Sequence, residues 1–228
     1  MIRQVEVSGK SYREILEMQL AEFNRRVDCR KVGEELPDDL IIFAEHQPVY
    51  TLGKHGHQSN LLLSPEELGR NGIEYAEIGR GGDITYHGPG QITVYPILDL
   101  LRYRLGVKDY VDLLEETVVR TIGGYGIKGE RIEGRTGVWI GKGTQSERKI
   151  SAIGIKCSRH VSMHGFALNV GSDISRFTGI VPCGISNRGV TSISLEVGRE
   201  VPVSEVKEEL WVNITRLLRL RIPSPGNS

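Results

Sequence analysis

Apolar positions along this chain recur with two different periods, and the switches between them mark its elements. Ile2, Val5 and Val7 open it as a strand. Ser11 followed three residues later by Glu14 is a capping box. Tyr12, Ile15, Leu16, Leu20, Phe23 and Val27 then recur at helical spacing, so a helix of about four or five turns is expected, its Glu and Arg residues forming a solvated face. Leu40 to Ala44 is a continuous apolar run of strand length, the mark of a strand buried on both faces. Ser64-Pro65 pairs an N-cap with a first-turn proline, and Gly72 closes the short helix they start. Ile73 to Ile78, Ile84 to Tyr86 and Ile92 to Ile97 read as strands, with Pro96 pointing to an edge or a bulge.

The second half repeats the alternation. Asp109 is expected to cap a helix through Tyr110, Leu113, Leu114, Val118 and Ile122 that Gly123-Gly124 stops. Strands follow at Gly137 to Ile140, at Lys149 to Cys157 and at His164 to Val170. The polar run Gly141 to Arg148 is the hairpin loop between the first two. Period two places Lys149, Ser151, Ile153 and Ile155 on one face. Ser204 is expected to cap a last helix carrying Val206, Leu210, Ile214, Leu217 and Leu218. No repeat or linker interrupts the chain, so one domain over residues 1–228 is expected, with a frayed Pro/Gly/Ser tail at about 222–228.

The 228 residues are enough to bury a sizeable core. A formal net charge of zero gives no reason to expect wholesale attraction to nucleic acid or membrane, so any charged partner has to be met by a local patch. No apolar run approaches the ~20 residues of a membrane span, and the first residues lack the pattern of a signal or transit peptide. Three widely spaced cysteines, Cys29, Cys157 and Cys183, are no disulfide framework and suit a reducing, cytoplasmic setting.

The densest chemistry lies in Arg80-Gly81-Gly82-Asp83-Ile84-Thr85-Tyr86-His87-Gly88-Pro89-Gly90-Gln91, where a cation, a short polar strand and an imidazole stand between two glycine hinges. By local physics alone this could equally be an ordinary glycine-rich hairpin. Its spacing matches neither a P-loop nor a dinucleotide fingerprint. His46, His55 and His57 lack cysteine or carboxylate partners and read as loop histidines, so no metal is expected. Cys183, between Pro182 and Gly184, has the loop setting of an accessible nucleophile, whereas Cys157 reads as a small core residue. Lys149 leads an otherwise apolar face; an edge lysine that snorkels to water is the plain alternative.

The string from Arg80 to Gln91 resembles the signature of lipoyl(octanoyl) transferases at every defined position. His46 to Gly53, Arg148 to Gly154, His164 to Asn169 and Pro182 to Gly184 resemble further motifs of that family, in family order, so the similarity spans roughly residues 40 to 192. The resemblance implies an α/β (α+β) fold like the biotin and lipoate ligase catalytic core: a mixed, largely antiparallel sheet flanked by helices. It implies an octanoyltransferase of lipoate biosynthesis with a cysteine–lysine dyad. Cys183 would carry the acyl group as a thioester, and Lys149 would lower its pKa. Substrate contacts would fall on Arg80, Gly81, Gly82, Asp83, Ile84, Thr85, Tyr86 and His87, on Ala152, Ile153 and Gly154, and on Gly165, Phe166 and Ala167. The acyl tail needs an apolar slot, and the glycines at Gly81, Gly82, Gly154 and Gly165 would leave room for one.

The implied donor is octanoyl-acyl carrier protein. The implied acceptors are lipoyl domains of 2-oxoacid dehydrogenase complexes and the glycine cleavage H protein. The enzyme is expected to act as a monomer without cofactor. Lys142, Arg148, Lys156 and Arg159 are the expected basic patch for its acidic partners. An ATP-dependent lipoate or biotin ligase would need no nucleophilic cysteine, and a non-catalytic lipoyl-domain binding module would need neither Cys183 nor Lys149.

Overall fold

The computed structural model describes residues 1–181 and 189–222. The expected frayed tail, apart from Ile222, lies outside the described residues, and so does Cys183. The elements in chain order are β1 (Ile2–Val7), α1 (Tyr12–Val32), β2 (Asp39–Ala44), β3 (Val49–Leu52), α2 (Pro65–Arg70), β4 (Glu74–Glu77), β5 (Ile84–His87) and β6 (Gln91–Ile97). There follow α3 (Val107–Gly123), β7 (Glu130–Ile132), β8 (Arg135–Ile140), β9 (Arg148–Ser158), β10 (Val161–Asn169), β11 (Gly189–Val190), α4 (Ile193–Val197) and α5 (Val203–Arg219). Two 3-10 turns, Gln58–Asn60 and Ile174–Gly179, complete the set.

The main sheet has eight strands, in the order β1-β2-β6-β10-β9-β8-β7, with β11 joining β9. The pairs β1–β2 and β11–β9 are parallel and the others antiparallel. A separate sheet has three strands, β4-β3-β5. The expected mixed, largely antiparallel sheet is therefore found.

Strand alternation sends side chains to two cores. Ile41, Phe43, Val94, Phe166 and Leu168 face α3 and α5, while Ile42, Ala44, Tyr95, Ile97 and Met163 face α1. Tyr50, Tyr86, Leu68 and Ile180 form a third cluster around the small sheet. Ser11 and Glu14 make the reciprocal capping box, and Gly33 closes α1 in the left-handed conformation.

Four expectations need correction. α1 is longer than four or five turns and carries buried polar residues. Arg26 is fully buried, its guanidinium donating to the carbonyl oxygens of Glu22 and Asp38, and Arg30 pairs with Asp99. The helix stripe continues there in cations whose partners are distant in sequence. Pro96 sits on a central strand, not an edge. β10 pairs β6 only from Phe166↔Val94 to Asn169↔Gln91, and beyond that the Ser162 hydroxyl donates to Pro96 O at 2.8 Å and accepts from Leu98 N–H at 3.0 Å. Asp109 is not the cap of α3 but its third residue, whose carboxylate accepts the Gly106 N–H at 3.3 Å. Nor does Ser204 cap α5, which starts after Pro202. No helix among the described residues is long and apolar enough to cross a membrane.

Candidate active site

A cavity of about 370 Å³ opens on the α1 side of the main sheet. Its floor is a ladder of small side chains, because Ala152 pairs with Ala167 and Gly154 with Gly165 across β9 and β10. β5 and the loop before it form one wall, and Tyr12 of α1 and Tyr95 of β6 stand at one end. Lys149 and Trp139 stand at the other.

Lys149 reaches this side of the sheet through a β-bulge. Val138 pairs with Ser151, but the next β8 residue, Trp139, pairs with Lys149, so Ile150 is an inserted residue. Directly paired residues share a face. Strict alternation would have put Lys149 with Ser151, Ile153 and Ile155, as expected from the sequence; the insertion moves it to the face of Trp139. Its ammonium lies 4.6 Å from the Trp139 ring centroid and donates to Thr136 O at 3.3 Å. Ile150 takes the place this frees in the α3/α5 core.

The glycine-rich stretch is tied down at several residues. The Arg80 guanidinium donates to Thr51 O at 2.7 Å, Thr51 Oγ1 at 3.0 Å and Gly81 O at 3.0 Å, and the Gly81 N–H donates to Ile155 O at 2.9 Å. The Asp83 carboxylate accepts Ile84 N–H and the Asn60 amide, both at 2.7 Å. Gln91 donates through Nε2 to Asn169 Oδ1 and to Tyr86 O, so its Oε1 must accept the 2.7 Å bond from His87 Nδ1. His87 is therefore the neutral Nδ1–H tautomer, with Nε2 toward the Thr51 hydroxyl.

Burial, more than any neighbouring charge, holds the histidines here neutral. His87 and His164 are pushed down to about 3 and His46 to about 4; the positive charge of Arg80 adds to the effect at His87 and His164. His46 Nε2 shares a hydrogen bond with the Tyr95 hydroxyl at 2.6 Å. Among the described residues no group of three metal-ligating side chains comes together.

The described flanks of residues 182–188 hang from the same walls. Before them, the Val181 N–H donates to Asn60 O at 2.8 Å, and the Asn60 amide holds Asp83. After them, β11 runs beside β9 with Val190 opposite Lys149, and Thr191 N–H donates to Lys149 O at 3.0 Å. Asn169 of the cavity wall donates to Thr191 O at 3.0 Å.

Residues 22–214 match the family model of the lipoyl protein ligase A/B catalytic domain. An octanoyltransferase of Christiangramia forsetii is 45% identical over 231 residues, covering 97% of this chain and 99% of that protein. One of Porphyromonas gingivalis is 53% identical over 181 residues, 79% of this chain but 37% of that longer protein. The chain belongs to the octanoyltransferase family. It is thus an acyltransferase. Among solved structures, a bi-partite lipoate protein ligase of Thermoplasma acidophilum, described with its E2 lipoyl domain, superimposes with a TM-score of 0.67 at 16% identity, covering 95% of this chain and 83% of that one. That likeness is one of fold.

Of the expected substrate contacts, Arg80, Gly82, Asp83, Ile84, Thr85, His87, Ala152, Ile153, Gly154, Gly165, Phe166 and Ala167 line the cavity together with Lys149. Gly81 and Tyr86 do not. Gly81 is spent on the bond to Ile155, and alternation turns Tyr86 to the small-sheet core against Tyr50 and Phe177. Cys183 lies outside the described residues.

Two of the expected glycines also have a packing role. A Cβ at Gly154 would stand 2.7 Å from Gly81 O, and one at Gly165 would stand 2.1 Å from Val94 O. These two let backbones pack closely, and Gly82, Gly154 and Gly165 line the cavity, whereas Gly81 does not. The expected basic patch also separates. Arg148 begins β9 and pairs with Glu196, whereas Lys156, over the Phe23 ring, and Arg159 lie at the far end of that 11-residue strand. Sequence reasoning missed Tyr12, Tyr95, Trp139, His164 and Asn169 as cavity residues. His164 and Asn169 lay within a recognised motif, but the aromatics come from elements that only the fold brings near.

Proposed function

We propose that this acyltransferase moves an octanoyl group from acyl carrier protein to a lysine of lipoyl domains through a thioester on Cys183. The observation that carries the reading is a largely apolar cavity with Lys149 at one end, where one described flank of the Cys183 segment is hydrogen-bonded to Lys149 and the other to Asn60, which holds the wall residue Asp83. Its volume of about 370 Å³ suits a small acyl group.

In the first half-reaction the Cys183 thiolate attacks the donor thioester carbon. A C–S bond forms to Cys183, the C–S bond to the carrier breaks, and the carrier thiolate leaves with the proton of the Lys149 ammonium, so that the lysine amine is neutral in the acyl-enzyme. The Lys149 ammonium favours the attacking thiolate over the thiol. In the second half the acceptor lysine amine attacks the acyl-enzyme, an amide bond forms, and Cys183 leaves as thiolate. Lys149, with no thiolate beside it in the acyl-enzyme, accepts the amine proton. Thioester is exchanged for thioester and then for the more stable amide, so the reaction needs no nucleotide. The substrate contacts proposed are the loop and strand from Arg80 to His87 with the β9–β10 floor.

The acceptors are lipoyl domains of 2-oxoacid dehydrogenase complexes and the glycine cleavage H protein, and the setting is cytoplasmic, with one catalytic domain acting as a monomer. Intact-mass measurement after incubation with octanoyl-acyl carrier protein tests the chemistry. A hydroxylamine-labile octanoyl adduct is expected on the unaltered protein and on Cys157→Ala, and none on Cys183→Ala. An adduct that persists in Cys183→Ala, or a strict requirement for ATP and magnesium with this donor, defeats the reading.

A further inference from the structure

His164 interrupts β10 with a backbone that strands do not use. Its φ is +60°, a left-handed value in the middle of nine strand residues. Its cross-strand partner is Ile155, which packs toward α3 and α5, so plain alternation would send the imidazole to that side. It lines the cavity instead, and is almost fully buried, with 3% of its surface exposed.

The register orders the slot from Lys149. Ala152 and Ala167 come first, Gly154 and Gly165 next, and then Lys156 opposite Met163, a row that lies beyond the cavity lining and whose lysine ammonium sits over the Phe23 ring of α1. His164 stands between the last two rows. The six steps of β9 from Lys149 to Ile155 span about 20 Å of strand, from which the lysine side chain and the imidazole each take several ångströms. What is left is the reach of a medium-length acyl chain.

We propose that His164 is the specificity-determining residue that limits acyl-chain length, its ring forming the far stop of the slot. The proposal rests on the octanoyl-transfer reading above. The left-handed backbone is what aims a flat, rigid ring across the end of a channel floored by alanine and glycine. Burial keeps that ring uncharged, so hydrocarbon can abut it without stripping water from a cation.

The test is a chain-length profile. Acyl carrier protein thioesters of six, eight, ten and twelve carbons are given to the unaltered enzyme and to His164→Gly, a substitution that suits the positive φ. The ratio of kcat/KM for the twelve-carbon to the eight-carbon donor should rise about tenfold or more, since each methylene accommodated in an apolar pocket is worth at least that factor. His164→Asn, which also tolerates the left-handed conformation and is smaller than histidine, should shift the ratio less, and it serves if the glycine variant fails to fold. An unchanged ratio in either folded variant while octanoyl transfer persists overturns the proposal. Failure of the unaltered enzyme to acquire octanoyl on Cys183 strikes the underlying reading instead, so the two failures are distinguishable.

Discussion

A single inserted residue decides where Lys149 points. Because Ile150 is looped out of the pairing with β8, the lysine changes face, and a position that looks like an edge lysine becomes a cavity residue. If it serves both half-reactions, Lys149→Arg keeps a cation but cannot readily surrender a proton. Single-turnover kinetics should then show partial acylation of Cys183 and a more severe loss of transfer to the lipoyl domain; equal losses in both halves would exclude two roles. The glycines make a separate prediction at this scale. Gly154→Ala places a Cβ 2.7 Å from Gly81 O, and relieving that overlap should cost ~1–3 kcal/mol. Urea denaturation measures it, and an unaltered midpoint would show that the Arg80 loop can move aside freely.

At the scale of elements, α1 does more than cover the sheet. Its first residue, Tyr12, stands at the cavity, so the helix start is tied to the site. Ser11→Ala removes the side-chain acceptor for Glu14 N–H, with an expected loss of ~1 kcal/mol in chemical denaturation. Arg26 should matter more. It is fully buried and donates to carbonyl oxygens on α1 and before β2, so Arg26→Ala empties a large buried side-chain volume and removes the donor that joins the two segments. A loss of ~3 kcal/mol or more is expected, and a loss below that of Ser11→Ala would mean water replaces the guanidinium.

For the whole molecule, three buried neutral histidines set the response to acid. His46 is lowered to about 4 and His87 and His164 to about 3, all by burial, against ~6.5 in the unfolded chain. Above pH ~6.5 both states are neutral and the histidines give no slope. Below it the unfolded chain takes up protons that the folded one refuses, so stability falls with falling pH until the folded values are reached. Three such groups give at most ~4 kcal/mol per pH unit. Asp39 and Glu115, raised by burial, oppose this at lower pH. Denaturation midpoints should therefore drop between pH 6.5 and 5, and less so in His46→Gln; midpoints constant over that range would contradict the burial of uncharged imidazoles.

Local pattern was enough for the element types, the Ser11 and Ser64 caps and the glycine-rich stretch, because helical and strand periods and capping pairs act between neighbours. The family motifs carried most of the cavity wall, since Arg80 to His87, Ala152 to Gly154 and Gly165 to Ala167 stand in three contiguous runs. What the sequence by itself could not determine depended on partners far away in it. The bulge beside Lys149, the central place of Pro96, the burial of Arg26 and the positive φ of His164 are each settled by a second strand or helix. So is the close backbone packing at Gly154 and Gly165, where a Cβ would meet Gly81 O and Val94 O. Periodicity assigns faces on the premise of unbroken pairing. Only the tertiary structure, by inserting Ile150 and twisting His164, decided which two side chains leave their faces for the cavity.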